Sequence, residues 1–206
     1  MKKMVVVSLV VAGLALAVPR GLRAEVGIKV GASFAKFSWM TPEPADITWR
    51  YLPFIAGGLF AGVNLGPLTI EPELLVVRAG ARYASDVDSL EFRFTYIQAP
   101  LLLRLNTVPR GPVNPFLALG GYAAYLYRAE GVLVIGTEKT TADLIDDYKR
   151  SDFGLVASVG LGFRLPGVVI SIEGRYDLGL VNIIKDPAAG ESLKNRSFIA
   201  LVGIGF

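Results

Sequence analysis

After residue 24 the sequence alternates, with apolar and polar residues exchanging at every second position in one stretch after another. No apolar run there reaches the roughly 20 residues that a membrane-crossing helix needs. The clearest stretch is Asp152–Leu165. Phe153, Leu155, Ala157, Val159, Leu161, Phe163 and Leu165 fall on one face, and Asp152, Gly154, Ser158, Gly160, Gly162 and Arg164 on the other, with Val156 the exception. Successive side chains of a strand point to opposite sides, so this pattern predicts a strand with one apolar face. A helix would instead scatter Gly154, Gly160 and Gly162 around its axis, at about 1 kcal/mol each. The same period runs through Val168–Leu178, Thr95–Leu105, Leu68–Val76, Val26–Phe34 and Phe198–Phe206. Two weaker segments rich in Gly, Ala and aromatics, Ile55–Leu65 and Phe116–Tyr127, bring the set to eight. Most are long enough for a tilted membrane strand, which takes about 9–11 residues.

The connections alternate too. Gly66-Pro67, Asn106–Pro112 and Pro166-Gly167 are short, whereas Trp39–Arg50, Arg82–Phe92, Arg128–Arg150 and Leu180–Arg196 are long and polar. Short turns at one end and long loops at the other are the pattern of a transmembrane barrel. The fold expected is therefore all-β, an eight-stranded antiparallel up-and-down transmembrane β-barrel. Its even strand count puts both termini on the short-turn, periplasmic side of an outer membrane.

The N-terminus has a different character. Met1-Lys2-Lys3 is basic, Met4–Val18 is apolar, and Leu22-Arg23-Ala24 offers a cleavage site before Glu25. This is the layout of a secretory signal peptide, giving residues 1–24 as the signal and 25–206 as the barrel, with a retained anchor helix as the alternative. Residues 1–24 carry Lys2, Lys3, Arg20 and Arg23 and no acid, so cleavage takes the formal charge from +3 to 3 − 4 = −1. A basic surface for nucleic acid is thus not expected. With no cysteine in the chain, disulfides and thiolate metal sites are excluded. Barrel closure is then one source of stability for an exported protein.

Alternation does not say which face is inside, and a lipocalin-like soluble barrel would bury the apolar one. Three features favour the membrane. The polar faces carry charges of both signs, Lys29, Glu71, Glu73, Arg104, Arg164, Glu173, Arg175 and Asp177, which a narrow lumen can pair. Aromatics gather near strand ends (Phe37, Trp39, Trp49, Tyr51, Phe94, Tyr96, Tyr125, Tyr127, Phe153 and Tyr176), as interfacial girdles do. The sequence closes on an aromatic, Phe206, within its last strand. The eight charges are expected to form one structural network that plugs the lumen.

Gly27-Ile28-Lys29-Val30-Gly31, Glu71-Pro72-Glu73-Leu74-Leu75, Tyr96-Ile97-Gln98-Ala99-Pro100-Leu101-Leu102-Leu103-Arg104, Ser171-Ile172-Glu173-Gly174-Arg175-Tyr176, Gly179-Leu180-Val181-Asn182-Ile183 and the closing Asn195–Phe206 together resemble the PorT-like outer-membrane β-barrel proteins. The resemblance spans most of residues 25–206. It departs at Ala118, where the family leads one to expect a polar lumen residue. It implies an outer-membrane barrel embedded in outer-membrane lipid, with Phe206 as the assembly signal read by the barrel-assembly machinery. It does not fix a function.

The chain has no histidine, which removes Ser-His-Asp chemistry and His-ligated metals. Glu71 and Glu73 share a strand face, about 7 Å apart by strand rise, a spacing a hydrolase could use. Charge pairing with Arg104, Arg164 or Arg175 is the expected role instead. Asp143, Asp146 and Asp147 could bind calcium, but no EF-hand glycine follows them. Gly120-Gly121 and Gly160-Leu161-Gly162 lie within strands with no helix after them, so they are read as sites of barrel curvature rather than phosphate loops. The expectation is a barrel with no catalytic, cofactor or metal residues, acting in secretion or adhesion through its loops. The alternatives are a small-ligand binder or narrow channel, and a lipid-modifying enzyme.

Overall fold

A computed structural model describes residues 23–39, 49–84, 88–135, 138–187 and 191–206. The expected signal peptide falls almost wholly outside them, and the first strand already begins at Arg23. There are nine strands among the described residues: β1 (Arg23–Trp39), β2 (Trp49–Leu65), β3 (Leu68–Ala84), β4 (Asp88–Asn106), β5 (Val113–Ile135), β6 (Glu138–Asp143), β7 (Ser151–Leu165), β8 (Val168–Gly179) and β9 (Leu193–Gly205). All pairings are antiparallel. The order β4-β3-β2-β1-β9-β8-β7-β5 is closed by β4 against β5. Eight strands thus form a barrel, and β6 pairs only with the outer part of β5.

Alternation now has a direction. Val30, Ile55, Leu101, Leu119, Leu155, Val159 and Val202 are exposed on the outside, while Lys29, Glu71, Glu73, Gln98, Arg104, Glu173 and Arg175 are buried within. A barrel that is apolar outside and charged inside suits a hydrocarbon surround. The lipocalin-like arrangement is its inverse. Tight hairpins join β2 to β3 and β7 to β8, and each places a glycine beside a proline, Gly66 at φ 75° and Gly167 at φ 79°. Both glycines adopt the left-handed backbone that side-chain-bearing residues avoid. Inside, glycines make room for large neighbours: a Cβ on Gly160 would lie 2.3 Å from the Phe116 ring.

The structure corrects the sequence-based expectations in three places. Arg82–Phe92 and Arg128–Arg150 are not loops throughout, because β3, β4 and β5 run on into them and β6 forms a hairpin with β5. Phe94 and Tyr96 are not girdle residues but lie buried inside the barrel, on the same face of β4 as Gln98. Tyr125, Tyr127, Phe153 and Tyr176 do lie on the outer face, and the side chains of Phe37, Trp39, Trp49 and Tyr51 are outside the described part. The long-loop end is lidded. Tyr148 bridges to Ile184, its ring stands 4.7 Å from that of Phe94, and Ile183 is fully buried in one apolar cluster with Leu126 and Leu193.

Candidate functional site: the lumen

From the short-turn end the lumen is layered. First comes a vestibule of about 740 Å³ lined by Glu25, Asn64, Thr69, Arg104, Asn106 and Asn114, among others. Its polar wall is internally bonded. Asn106 donates to Thr69 Oγ1 at 2.9 Å and accepts from Asn114 and from Arg104 Nε at 2.8 and 3.1 Å.

Above it lies a compact ion cluster. Lys29 of β1 points into the lumen because its neighbours Ile28 and Val30 face out. Its Nζ donates to Glu71 at 2.6 Å, Glu73 at 2.5 Å and Glu173 at 2.7 Å. Three protons on one ammonium meet three carboxylates from β3 and β8. Arg175, fully buried, binds Glu73 through both terminal nitrogens at 2.6 and 2.8 Å and Glu173 through Nε at 3.0 Å and Nη2 at 2.8 Å. Arg104 reaches Glu71 at 3.2 Å, its guanidinium 3.7 Å above the Phe116 ring. The carboxylate oxygens of Glu71, Glu73 and Glu173 converge as metal ligands would, but the Lys29 ammonium sits among them. The cluster therefore holds three bases and three acids, and its overall neutrality is what makes such burial tolerable.

Two residues of the expected eight-charge network stand elsewhere. Arg164 lies on the polar face of β7 but at the rim, exposed, where it donates to the Pro109 carbonyl at 2.5 Å. Asp177 is buried in the lumen yet accepts from Gln98 at 2.9 Å rather than from a base. Alternation assigns the side of a residue and not its height along the barrel, and these two are separated from the cluster by height. Asp143 ends β6 and Asp146 lies in the loop after it, both facing solvent, with Asp143 accepting from the Ile145 amide at 3.0 Å and Asp146 3.7 Å from Arg150. Ala118 is buried on the lumen side, opposite Arg104 in register.

A third layer was not singled out from sequence. Tyr122 donates to Asp152 at 3.1 Å. The Asn195 amide donates to Asp152 at 2.9 Å and to the Tyr96 hydroxyl at 3.0 Å. Asp152 and Gln98 stand on polar strand faces and were legible as lumen residues. Their partnership across the barrel was not.

The model of the family described as "Outer membrane protein beta-barrel domain" matches residues 17–185. Among curated proteins none matches the chain in sequence. Solved structures share the fold. Neisserial surface protein A (NspA) is 15% identical, with a TM-score of 0.51 over 90% of this chain and 98% of that one. OprG from Pseudomonas aeruginosa is 12% identical, with a TM-score of 0.52 over 89% and 95%. The outer membrane protease OmpT from Escherichia coli is 9% identical, with a TM-score of 0.52 over 91% and 97%. At such identities the likeness is one of fold alone.

Proposed function

Since the chain belongs to the outer membrane protein beta-barrel domain family, we propose that it is a closed, non-enzymatic outer-membrane barrel that acts through its long-loop end. The supporting observation is the cluster of Lys29, Glu71, Glu73, Glu173 and Arg175, whose ion pairs of 2.5–2.8 Å span the lumen from β1 to β3 and β8. Solute passing through would have to break several charge-assisted bonds in a low-dielectric interior. The carboxylates that could serve a hydrolase, Glu71 and Glu73, are already committed to Lys29, Arg104 and Arg175. The fold does not decide the point, since a protease shares it.

Among the described residues, the β5–β6 hairpin is available at the long-loop end. Its strands pair from Glu130↔Asp143 to Ile135↔Glu138 beyond the last β5–β7 pair, Tyr125↔Ser151, and all of β6 is exposed. We take this hairpin as a contact surface at the cell exterior, both termini being periplasmic. The PorT-like resemblance makes an accessory role in secretion the finer assignment, with adhesion as its counterpart. Outer-membrane lipid would cover the apolar belt, and Phe206, exposed where its backbone pairs with Val26, would be read by the barrel-assembly machinery. No nucleic-acid partner is proposed.

Purified, refolded protein in planar bilayers should give no stable unitary conductance. A well-resolved open channel would overturn the closed-lumen proposal. The vestibule of about 740 Å³ supports a second reading, a binder of small polar ligands entering from the short-turn end. Solute protection of a single cysteine at Asn114 against a thiol reagent would favour it.

A further inference from the structure

Between the ion cluster and the apolar lid the lumen contracts to a cavity of about 20 Å³, lined by Gln98, Tyr122, Asp152, Asp177 and Asn195 among others. Gln98, Asp152, Asp177 and Asn195 are each more than nine-tenths buried, at 4, 1, 4 and 7% exposure. Every one has an oxygen with no hydrogen-bond donor: Gln98 Oε1, Asp152 Oδ1, Asp177 Oδ1 and Asn195 Oδ1. The amide orientations are fixed by their other ends. Gln98 Nε2 donates to Asp177 Oδ2 and Asn195 Nδ2 to Asp152 Oδ2, so the free atoms are oxygens.

The charges point the same way. Lys29, Arg104 and Arg175 are matched by Glu71, Glu73 and Glu173. Among the described residues Asp152 and Asp177 form no ion pair, and Tyr122 hydrogen-bonds only one of them, Asp152. Two buried carboxylates with no base bonded to them, Asp177 only feeling the field of Arg175, are strongly unfavourable unless neutralised. One water has two protons to give and four oxygens wait for a donor, so water leaves both the charge and half the acceptors unanswered. A volume of this order holds one small occupant. Carboxylate and amide oxygens, with no nitrogen or sulfur ligand, are the donor set of a hard divalent cation.

We propose that this cavity binds a single calcium-type divalent cation through Asp152, Asp177, Gln98 and Asn195. The ion would cross-link β4, β7, β8 and β9 from inside and balance the charge of the outer half of the lumen. The proposal is independent of the closed-barrel function above.

The test uses the mature barrel refolded in detergent with calcium chloride and then stripped of free metal. About one calcium per folded chain should remain, and chelation by EDTA should lower the thermal unfolding midpoint. Asp152→Asn and Asp177→Asn should each lose the retained calcium and the EDTA sensitivity, while Asp147→Asn, in the exposed loop, should keep both. Heat-modifiable gel mobility reports whether each variant folds. Should Asp152→Asn fail to fold, tyrosine-sensitised terbium luminescence of the unaltered protein, competed by calcium, is the second measurement. The proposal is overturned by an unfolding midpoint that EDTA does not move, by no retained calcium, by stabilisation with sodium alone, by retention that survives both lumen variants, or by retention lost in Asp147→Asn. Aspartate variants that match the parent with and without calcium would equally overturn it, as neutral, protonated carboxyls would then occupy the site.

Discussion

Replacing Lys29 with methionine keeps the unbranched stem of the side chain and removes the one group that touches all three carboxylates of the cluster. Its Nζ lies 2.5–2.7 Å from Glu71, Glu73 and Glu173, and the residue is 2% exposed. Arg104 and Arg175 then face three acids, leaving one buried negative charge uncompensated. Breaking a buried pair in this way costs about 3–5 kcal/mol, a large share of a domain's stability. The value of the case is its built-in repair. Removing Glu173 as well, in Lys29→Met/Glu173→Gln, leaves two separate pairs that already exist, Arg104 with Glu71 at 3.2 Å and Arg175 with Glu73 at 2.6 Å. The double variant should therefore regain most of the loss, giving a coupling energy well above the 0.5 kcal/mol or so expected of independent sites. Urea unfolding in phospholipid vesicles, followed by gel mobility and tryptophan fluorescence, measures all four corners of the cycle. If Lys29→Met costs under about 1 kcal/mol, or if Glu173→Gln adds its own full loss to it, the cluster is solvated and the argument from burial collapses.

Three further outcomes are expected. Val159 faces outward at 59% exposure, so Val159→Arg should cost about 2–4 kcal/mol in bilayers if it lies near the midplane, whereas equal stability in bilayers would contradict a lipid-facing position. In intact cells a single cysteine at Thr140 of β6 should react with an impermeant maleimide and one at Gly66 should not, and the opposite pattern would invert the orientation. Sequencing the N-terminus of envelope-extracted protein should begin at Glu25, and a start upstream of residue 19 would refute cleavage of the signal.

The apolar belt was legible in the sequence for a simple reason: in hydrocarbon one face of every strand must be apolar, so the period of two is enforced where the membrane is. It fades where strands leave the membrane. Glu138–Asp143 is strand with both faces wet, and nothing in EKTTAD alternates; its structure comes from pairing with Glu130–Ile135. Parity puts Lys29 and the glutamates in the lumen, and it groups Arg164 with them although that residue stands exposed at the rim. Parity reports inside or outside, while depth depends on strand tilt and stagger, which no single strand encodes. Phe94 and Tyr96 show the opposite failure, residue type outweighing parity: aromatics suggested an interface, but their face of β4 is that of Gln98 and Arg104. The set around Asp152 was out of reach because its members come from strands as far apart in sequence as Gln98 and Asn195, joined only by closure.

The seam between β1 and β9, paired from Gly27↔Gly205 to Trp39↔Leu193, also governs how the protein can come into being. Until the ninth strand meets the first there is no inside. Lys29 and Glu173 are 144 residues apart in sequence, so they can keep their water while the sheet is still open. Zipping the seam and drying the charges are then a single event. Contacts so distant in sequence make folding slow, and a half-closed sheet exposes two raw edges. A chain built like this gains little from folding in pieces, since its ring of charge is complete only once the seam has closed.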